Sequence, residues 1–322
     1  MTEPREVRLA VVGVGYLGRQ HARVAAASPG VRVVAIHDHH EGRAEEVGAA
    51  QQLPVRSSLE EVAREAEAVV VATPTSTHAE IASFFLDRGL DVLVEKPIAA
   101  TLAEADDLVG RAKRGGRILQ VGHVERHNPA VEAALRLIEH PRFIEVHRLG
   151  TFSPRSLDID VVLDLMIHDL QIVRAMVARP VVEIRAAGVP VLTPRLDIAN
   201  ARIAFEGGCV ANLTASRVSM TRTRKCRVFA PALYVSVDMD ARSAAAFRLA
   251  QGDGRPQIVP VEVAVSAGEE PLARQLRAFL RAVRERSEPL VPGEEGRAAL
   301  ALAHDVQSAI HDYRSVAEGA TA

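Results

Sequence analysis

Val7-Arg-Leu-Ala-Val-Val-Gly13-Val-Gly15-Tyr-Leu-Gly18-Arg-Gln-His21 joins an apolar run to a glycine-punctuated turn and then to a helix-forming stretch. Leu9, Ala10, Val11 and Val12 are apolar without alternation, the pattern of a strand covered on both faces and so of a parallel sheet. Gly13 permits a tight turn, Gly15 lets backbone approach a pyrophosphate, and Gly18 lets the following helix pack close against the strand. The helix start at Tyr16 and Leu17 presents unpaired N–H groups and the positive end of the macrodipole, which together hold phosphate.

A glycine-rich turn alone is weak evidence, so the surrounding pattern matters. A second apolar strand spans 31–36, and Asp38 follows it, twenty residues beyond Gly18. A carboxylate at that strand tip accepts both adenosine ribose hydroxyls and repels a 2′-phosphate, which favours NAD over NADP. His39, His40 and Arg43 lie nearby and would suit the phosphorylated form. The plain alternative for Asp38 is a solvated loop acid; strand, glycine turn, helix and second strand in register argue against it.

The chain's 322 residues are enough for about two domains. Lys and Arg total 39 against 41 Asp and Glu, so bulk charge offers no case for nucleic acid or an anionic membrane as partner. The first residues lack the apolar core of a signal peptide, and no apolar run is long enough to span a bilayer, so a cytoplasmic protein without membrane insertion is expected. Cys209 and Cys226 are far apart without CxxC spacing, which argues against a disulfide framework or a zinc site, and no metal site is expected.

Downstream, 41–66 reads as two helices around a small strand at 54–56. The apolar strand 68–72 breaks at Thr73-Pro74-Thr75-Ser76-Thr77-His78. Ligands collect at the carboxyl ends of parallel strands, so this hydroxyl-rich loop should lie beside the cofactor, with Thr75 or Ser76 also able to cap the next helix. The strand 91–94 leads straight into Glu95-Lys96-Pro97. Lys96 is a catalytic candidate, since an ammonium beside a cofactor donates strongly to a substrate oxygen. Its plain alternative is a surface pair with Glu95. Thr101 caps a helix to Arg114, 117–121 is a sixth strand, and the first domain closes at 122.

The glycine turn with His21, Glu95-Lys96-Pro97, and Gly122-His123 together resemble the glucose-fructose oxidoreductase, inositol dehydrogenase and rhizopine-catabolism family, Gfo/Idh/MocA. The resemblance implies a Rossmann domain at 1–122, then an α/β domain at 123–322 whose large, open, mainly antiparallel sheet carries the substrate site and the contacts of a homodimer or homotetramer. It places Gly13, Gly15, Tyr16, Leu17, Gly18, Asp38, Thr73, Pro74, His78, Glu95 and Lys96 around NAD, puts Lys96 near the substrate too, and makes the Lys96–Pro97 peptide cis.

In the second half, a helix follows Asn128-Pro129 to about 140, 142–149 is a strand, and 160–178 is a strongly apolar helix. On it Asp164, His168 and Gln171 share one face through i,i+4 and i,i+7 spacing, and a polar stripe on a buried helix asks for a partner. A hydrogen-bonded core histidine and a His-Asp metal pair are the other readings; the family's Asp and His four residues apart on this helix assign Asp164 and His168 as catalytic by resemblance. Strands at 181–192, 198–205, 209–219, 225–230, 233–238, 245–250 and 258–265 read as a meander, followed by helices at 271–286 and 294–313 and a loose tail after Ser315. Arg217, Arg222, Arg224, Lys225 and Arg227 could bind phosphates, against the alternative of a solvated, charge-guarded strand edge.

Val121-Gly-His-Val-Glu-Arg-His-Asn-Pro129, Arg142-Phe-Ile-Glu-Val-His-Arg148, Asp164-Leu-Met-Ile-His-Asp169 and Asp197-Ile-Ala-Asn-Ala-Arg202 resemble the subgroup that includes UDP-N-acetylglucosamine 3-dehydrogenases, associated with lipid A precursors, although His127 stands where that subgroup's pattern has phenylalanine. The resemblance implies a sugar or nucleotide-sugar substrate held by Lys96, His123, Arg126, Asn128, Asp164 and His168, one ring hydroxyl being oxidised. Two other outcomes of the same fold are an NAD-assisted glycoside hydrolase and a catalytically silent nucleotide-binding regulator.

Overall fold

The computed structural model describes residues 5–153, 159–251 and 255–319. The chain forms two compact units, 1–124 with 269–298, and 125–268 with 299–322.

In the first unit the elements run β1 (Val7–Val12), α1 (Tyr16–Ala26), β2 (Val31–His37), α2 (Glu41–Gln51), α3 (Leu59–Glu65), β3 (Ala68–Val71), α4 (His78–Asp87), β4 (Asp91–Glu95), α5 (Leu102–Gly115) and β5 (Leu119–Gly122). The strands pair in parallel in the order β2-β1-β3-β4-β5. Every residue of β3, β4 and β5 is buried, as their unbroken apolar runs require of strands with both faces covered. The strand expected at 54–56 shrinks to a single parallel bridge between Ile36 and Val55, giving five strands in place of six. Pro54 brings no N–H to a ladder, and Ser58, whose hydroxyl accepts the Glu61 N–H, already starts α3.

The second unit holds α6 (Pro129–Leu135), β6 (Phe143–Leu149), a π-helical turn (Val162–Met166), α7 (Ile167–Val177), β7 (Val181–Val189), β8 (Ile198–Phe205), β9 (Val210–Ser216), β10 (Thr223–Ala230), β11 (Leu233–Asp238), β12 (Ser243–Gln251) and β13 (Pro256–Val261). After these the chain forms α8 (Pro271–Glu285) and α9 (Gly293–Gly319). The eight strands order as β13-β12-β11-β10-β6-β9-β8-β7. The expected meander is interrupted: β6 lies between β9 and β10, parallel to the first and antiparallel to the second. One face of this sheet packs against α6, α7 and the π turn.

Two expectations at the carboxyl end change. Although the sequence boundary at 122 assigns all later residues to the second domain, α8 packs in the first unit, inserting Leu272, Leu276, Phe279, Leu280 and Val283 among Val7, Leu9, Val24 and Ala25. These positions follow i, i+4, i+7, i+8 and i+11, one stripe of a helix, and the stripe finds its complement on α1 and β1. Instead of a loose tail after Ser315, α9 continues to Gly319, and residues 320–322 lie outside the described residues. No helix among the described residues is long and apolar enough to cross a membrane.

Candidate active site

The glycine turn divides its labour. Gly13 sits at φ +81°, where a Cβ would also lie 2.7 Å from Thr73 Cγ2, and a Cβ on Gly18 would lie 1.7 Å from the Gly13 carbonyl oxygen. Those two glycines make the turn possible. Around a Cβ on Gly15 there is nothing within 4 Å, so this glycine keeps open a space that the fold itself does not fill. There α1 begins without a side-chain cap and without an acidic residue in its first turn, beside the exposed Tyr16 and Leu17. An uncapped helix N-terminus facing an unfilled space fits a pyrophosphate.

Asp38, just past β2, is 7 % exposed. One carboxylate oxygen accepts the Val14 N–H at 2.9 Å, and the other accepts the His40 N–H at 2.9 Å and an Arg43 guanidinium N–H at 3.1 Å. It therefore braces the glycine turn, and Arg43, which the sequence offered to a 2′-phosphate, pairs with the carboxylate.

The loop after β3 and the tip of β4 are tied together by His78, whose ring nitrogens face the Pro97 carbonyl at 2.8 Å and the Thr73 carbonyl at 2.9 Å. Burial holds this imidazole below its ordinary pKa against the pull of both carbonyls, and a neutral ring donates to only one of them. The helix cap expected from Thr75 or Ser76 is absent: these residues sit in a 3₁₀ turn (Thr75–Thr77), and the Thr77 hydroxyl reaches back 2.8 Å to the Pro74 carbonyl. The Lys96–Pro97 peptide is cis, as the resemblance implies.

Glu95 is not a surface residue. It is 5 % exposed and accepts from His21 Nε2 at 2.8 Å, with the Lys96 backbone N–H at 3.2 Å on its other oxygen and Gln275 Nε2 at 3.4 Å. Burial alone would raise its pKa, yet the His21 hydrogen bond and charge outweigh that and keep it below the usual carboxylate range. A Cβ at Gly122 would meet this carboxyl at 2.6 Å, which accounts for the glycine there. Lys96 is half-buried beside it. His123 is 1 % exposed, and burial, assisted by the Lys96 charge, pushes its pKa down to about 3, so the ring is neutral near pH 7.

In the second unit, Asp164 lies inside the π turn and His168 opens α7. Asp160 accepts the Val162 and Leu163 N–H groups at 2.9 and 3.1 Å on one oxygen and Gln307 Nε2 at 2.6 Å on the other, so α9 anchors the start of this segment. Of the three polar residues expected on one face, Asp164 is partly buried, His168 is 9 % and Gln171 2 % exposed. The π turn places an extra residue in the helical ring between Asp164 and the regular helix, a register that periodicity could not forecast. Of the 124–129 segment, Arg126 is partly exposed, whereas the Asn128 side chain caps α6 at the Ala130 N–H and donates to the Met239 carbonyl at 2.9 Å.

Sequence reasoning missed the ionic core of this unit. Arg148 donates from Nε and Nη2 to the two Asp169 oxygens at 2.8 and 2.7 Å, and from Nη1 to Glu125 at 2.9 Å. Glu125 also accepts from Arg224 at 2.9 Å and from Asn128 at 3.2 Å. The signal was in β6, where Ile144, Val146 and Arg148 share the buried parity: an arginine facing the core calls for a buried carboxylate. The phosphate-binding cluster is not assembled either. Arg217 pairs with Asp197, Arg222 with Asp240, Arg224 with Glu125, Lys225 with Asp238 and Arg227 with Glu145. Nor is β10 a strand edge, since β6 and β11 flank it.

Residues 7–123 match the oxidoreductase family with an NAD-binding Rossmann fold, Gfo/Idh/MocA. The chain is 36 % identical over 310 residues to UDP-N-acetylglucosamine 3-dehydrogenase of Acidithiobacillus ferrooxidans, covering 95 % of this chain and 98 % of that one. It is 30 % identical to scyllo-inositol 2-dehydrogenase (NAD(+)) of Bacillus subtilis over 66 % of this chain and 68 % of that one. A solved structure of the Acidithiobacillus enzyme superposes with a TM-score of 0.89 at 35 % identity, covering 96 % of this chain and 99 % of that one. With a full-length relative at this identity and a glycine turn shaped for the cofactor, the chain belongs to the Gfo/Idh/MocA family of oxidoreductases, and its cofactor is NAD.

Proposed function

We propose that the protein oxidises a ring hydroxyl of a nucleotide sugar, UDP-N-acetylglucosamine at the 3-position, with NAD as acceptor. The observation that carries the reading is the full-length likeness to a UDP-N-acetylglucosamine 3-dehydrogenase, on a chain that has Lys96, Asp164 and His168 at the positions the family resemblance assigns. The glycine turn at Gly13, Gly15 and Gly18 and the start of α1 would hold NAD, which would supply the hydride acceptor. The hydroxyl proton goes to His168 as general base, Asp164 orients that imidazole, and the Lys96 ammonium donates to the same oxygen as it becomes a carbonyl. A neutral His123 beside Lys96 offers a donor and an acceptor to the sugar without a charge that would compete with the ammonium. Arg126 and Asn128 complete the assigned substrate set, Asn128 acting through the α6 start that it caps.

The cytoplasm is the assigned compartment. A second copy of the chain is the assigned partner, seated on the face of the large sheet away from α6 and α7. Phe143, Phe229, Tyr234 and Phe247 stand directly opposite one another across β6, β10, β11 and β12, with ring centroids 6.0, 5.1 and 6.4 Å apart along the ladder. Phe247, Leu249 and Ile258 remain 38 %, 50 % and 76 % exposed, an apolar surface of the kind that a symmetric copy covers.

The test is NADH formation, followed by absorbance, with purified protein and a panel of nucleotide sugars and free sugars. UDP-N-acetylglucosamine should give net NADH. Release of a free sugar without net NADH would instead identify an NAD-assisted glycoside hydrolase, and silence across the panel with intact NAD binding a regulator. His168→Ala should lower turnover about 10²- to 10⁴-fold with NAD affinity nearly unchanged, Lys96→Ala should lower turnover similarly, and Asp164→Asn less. Near-normal turnover and pH profile in His168→Ala would remove it as the base.

A further inference from the structure

With His168 as base and Asp164 orienting its ring, the rotation of the helix that carries them still has to be fixed, because that helix is irregular just upstream. The i→i+5 rings of Val162–Met166 have a competing register one residue away, that of the ordinary α-helix. A side chain in such a segment needs an anchor outside it. Asp160 clamps the start of the segment, four residues before Asp164. Beyond the irregular turn, Asp169, adjacent to His168, is gripped by the two parallel N–H donors of Arg148.

This grip is costly as a stability device. Arg148 is 2 % exposed, Asp169 1 % and Glu125 5 %. Taking such groups out of water offsets much of their mutual attraction, and well-packed apolar residues in their place are often as stable or more so. What an apolar cluster cannot supply is direction. A bidentate guanidinium–carboxylate pair is planar and fixes rotation as well as distance, so turning α7 by one residue would break both bonds. The same guanidinium uses its third donor on Glu125, in the 3₁₀ turn (Val124–His127) that carries Arg126. One arginine on β6 thus sets the helix with His168 against the turn with a substrate residue.

We propose that Arg148, through its bidentate pair with Asp169, is a positioning residue for His168, present to fix the rotation of the catalytic helix rather than to stabilise the fold; this rests on the assignment of His168 as base. The consequence is a separation of effects. Misplacing a reacting group by about 1 Å costs up to about 10²-fold in rate, whereas removing the pair as a unit leaves no lone charge from that pair behind.

The experiment compares Arg148→Met/Asp169→Leu, Arg148→Lys and His168→Ala with the unaltered protein, using the nucleotide sugar that gives the fastest NADH formation. For the double variant, in which Glu125 keeps Arg224 and Asn128, the expected result is a folded protein with an unfolding midpoint close to that of the unaltered protein and unchanged NAD affinity. Its kcat should fall about 10- to 100-fold with a smaller change in KM, and the basic group in its pH–rate profile should move. Arg148→Lys keeps the charge and loses the planar fork, so it should fold and show the same kcat loss. Full kcat in a folded double variant overturns the proposal. If the double variant fails to fold, Arg148→Lys decides: folded with low kcat supports positioning, and full turnover, or loss of the fold here too, overturns it. Full turnover in His168→Ala would instead sink the base assignment itself, whereas loss there with full turnover in Arg148→Lys sinks only the positioning role.

Discussion

Gly15 and Gly18 look interchangeable as letters, yet their surroundings give them opposite duties. Gly15→Ala adds a methyl to open space at φ −63°, so its urea midpoint should stay within about 0.5 kcal/mol of the unaltered protein, while NAD affinity, read by fluorescence titration, falls at least about tenfold. Gly18→Ala drives a methyl into the Gly13 carbonyl, so it should lose about 3 kcal/mol or more before any cofactor is added. Equal loss of stability in both would mean that the space at Gly15 is not kept for a ligand. His123 is a second residue whose neighbours decide its behaviour. Its folded pKa of about 3 lies below the ordinary value of 6.5, so between those pH values the unfolded chain binds more protons and stability rises with pH. Stability contributed by the neutral ring is complete above about pH 6.5 and is lost on acidification, with a slope approaching about 1.4 kcal/mol per pH unit. Urea unfolding between pH 6.5 and 5 should show that slope in the unaltered protein and a shallower one in His123→Gln; identical slopes would mean that another group controls the acid limb.

At the scale of the element, the segment from Asp160 to Val177 was readable as a helix with a polar stripe, but not as a π turn followed by an α-helix. Hydrophobic period is blind to one added residue when Val161, Val162, Leu163, Leu165 and Met166 are all apolar, because any register buries something. The start of the segment rests on Asp160, which satisfies two N–H groups and receives Gln307. Asp160→Ala should cost about 1–2 kcal/mol by urea unfolding, and Asp160→Asn less, since the amide oxygen still caps the turn although the amide nitrogen can no longer accept from Gln307. A loss in Asn as large as in Ala would place the contribution in the charge and the Gln307 bond rather than in capping. β6 shows the same limit from the other side: its alternation was legible, but its seat between β9 and β10 depends on partners more than sixty residues away.

For the whole molecule, the large sheet has one face under helices and the other marked by the aromatic ladder. Covering Leu249, Ile258 and Phe247 with a second copy should make the protein sediment as a dimer or tetramer, and Ile258→Asp with Leu249→Asp should shift it to the monomer. A monomeric unaltered protein at micromolar concentration by analytical ultracentrifugation would remove this face as an assembly surface. The monomeric variant should keep NAD affinity, because the glycine turn and Asp38 belong to the other unit.

What the sequence determined alone was what a few neighbouring residues can encode: the glycine turn, the unbroken apolar strands of a parallel sheet and the acid at the tip of β2. Turn chemistry and side-chain period act over one or two turns of chain, so they survive without a partner in view. The tertiary structure decided how charges were shared and which unit claimed each late helix. Glu125, Arg148, Asp169 and Arg224 span a hundred residues, and nothing local selects those carboxylates from the 41 acidic residues of the chain. Only the fold brings them within hydrogen-bond reach, and burial then makes the pairing obligatory, because an ionised group left alone in the interior costs several kcal/mol.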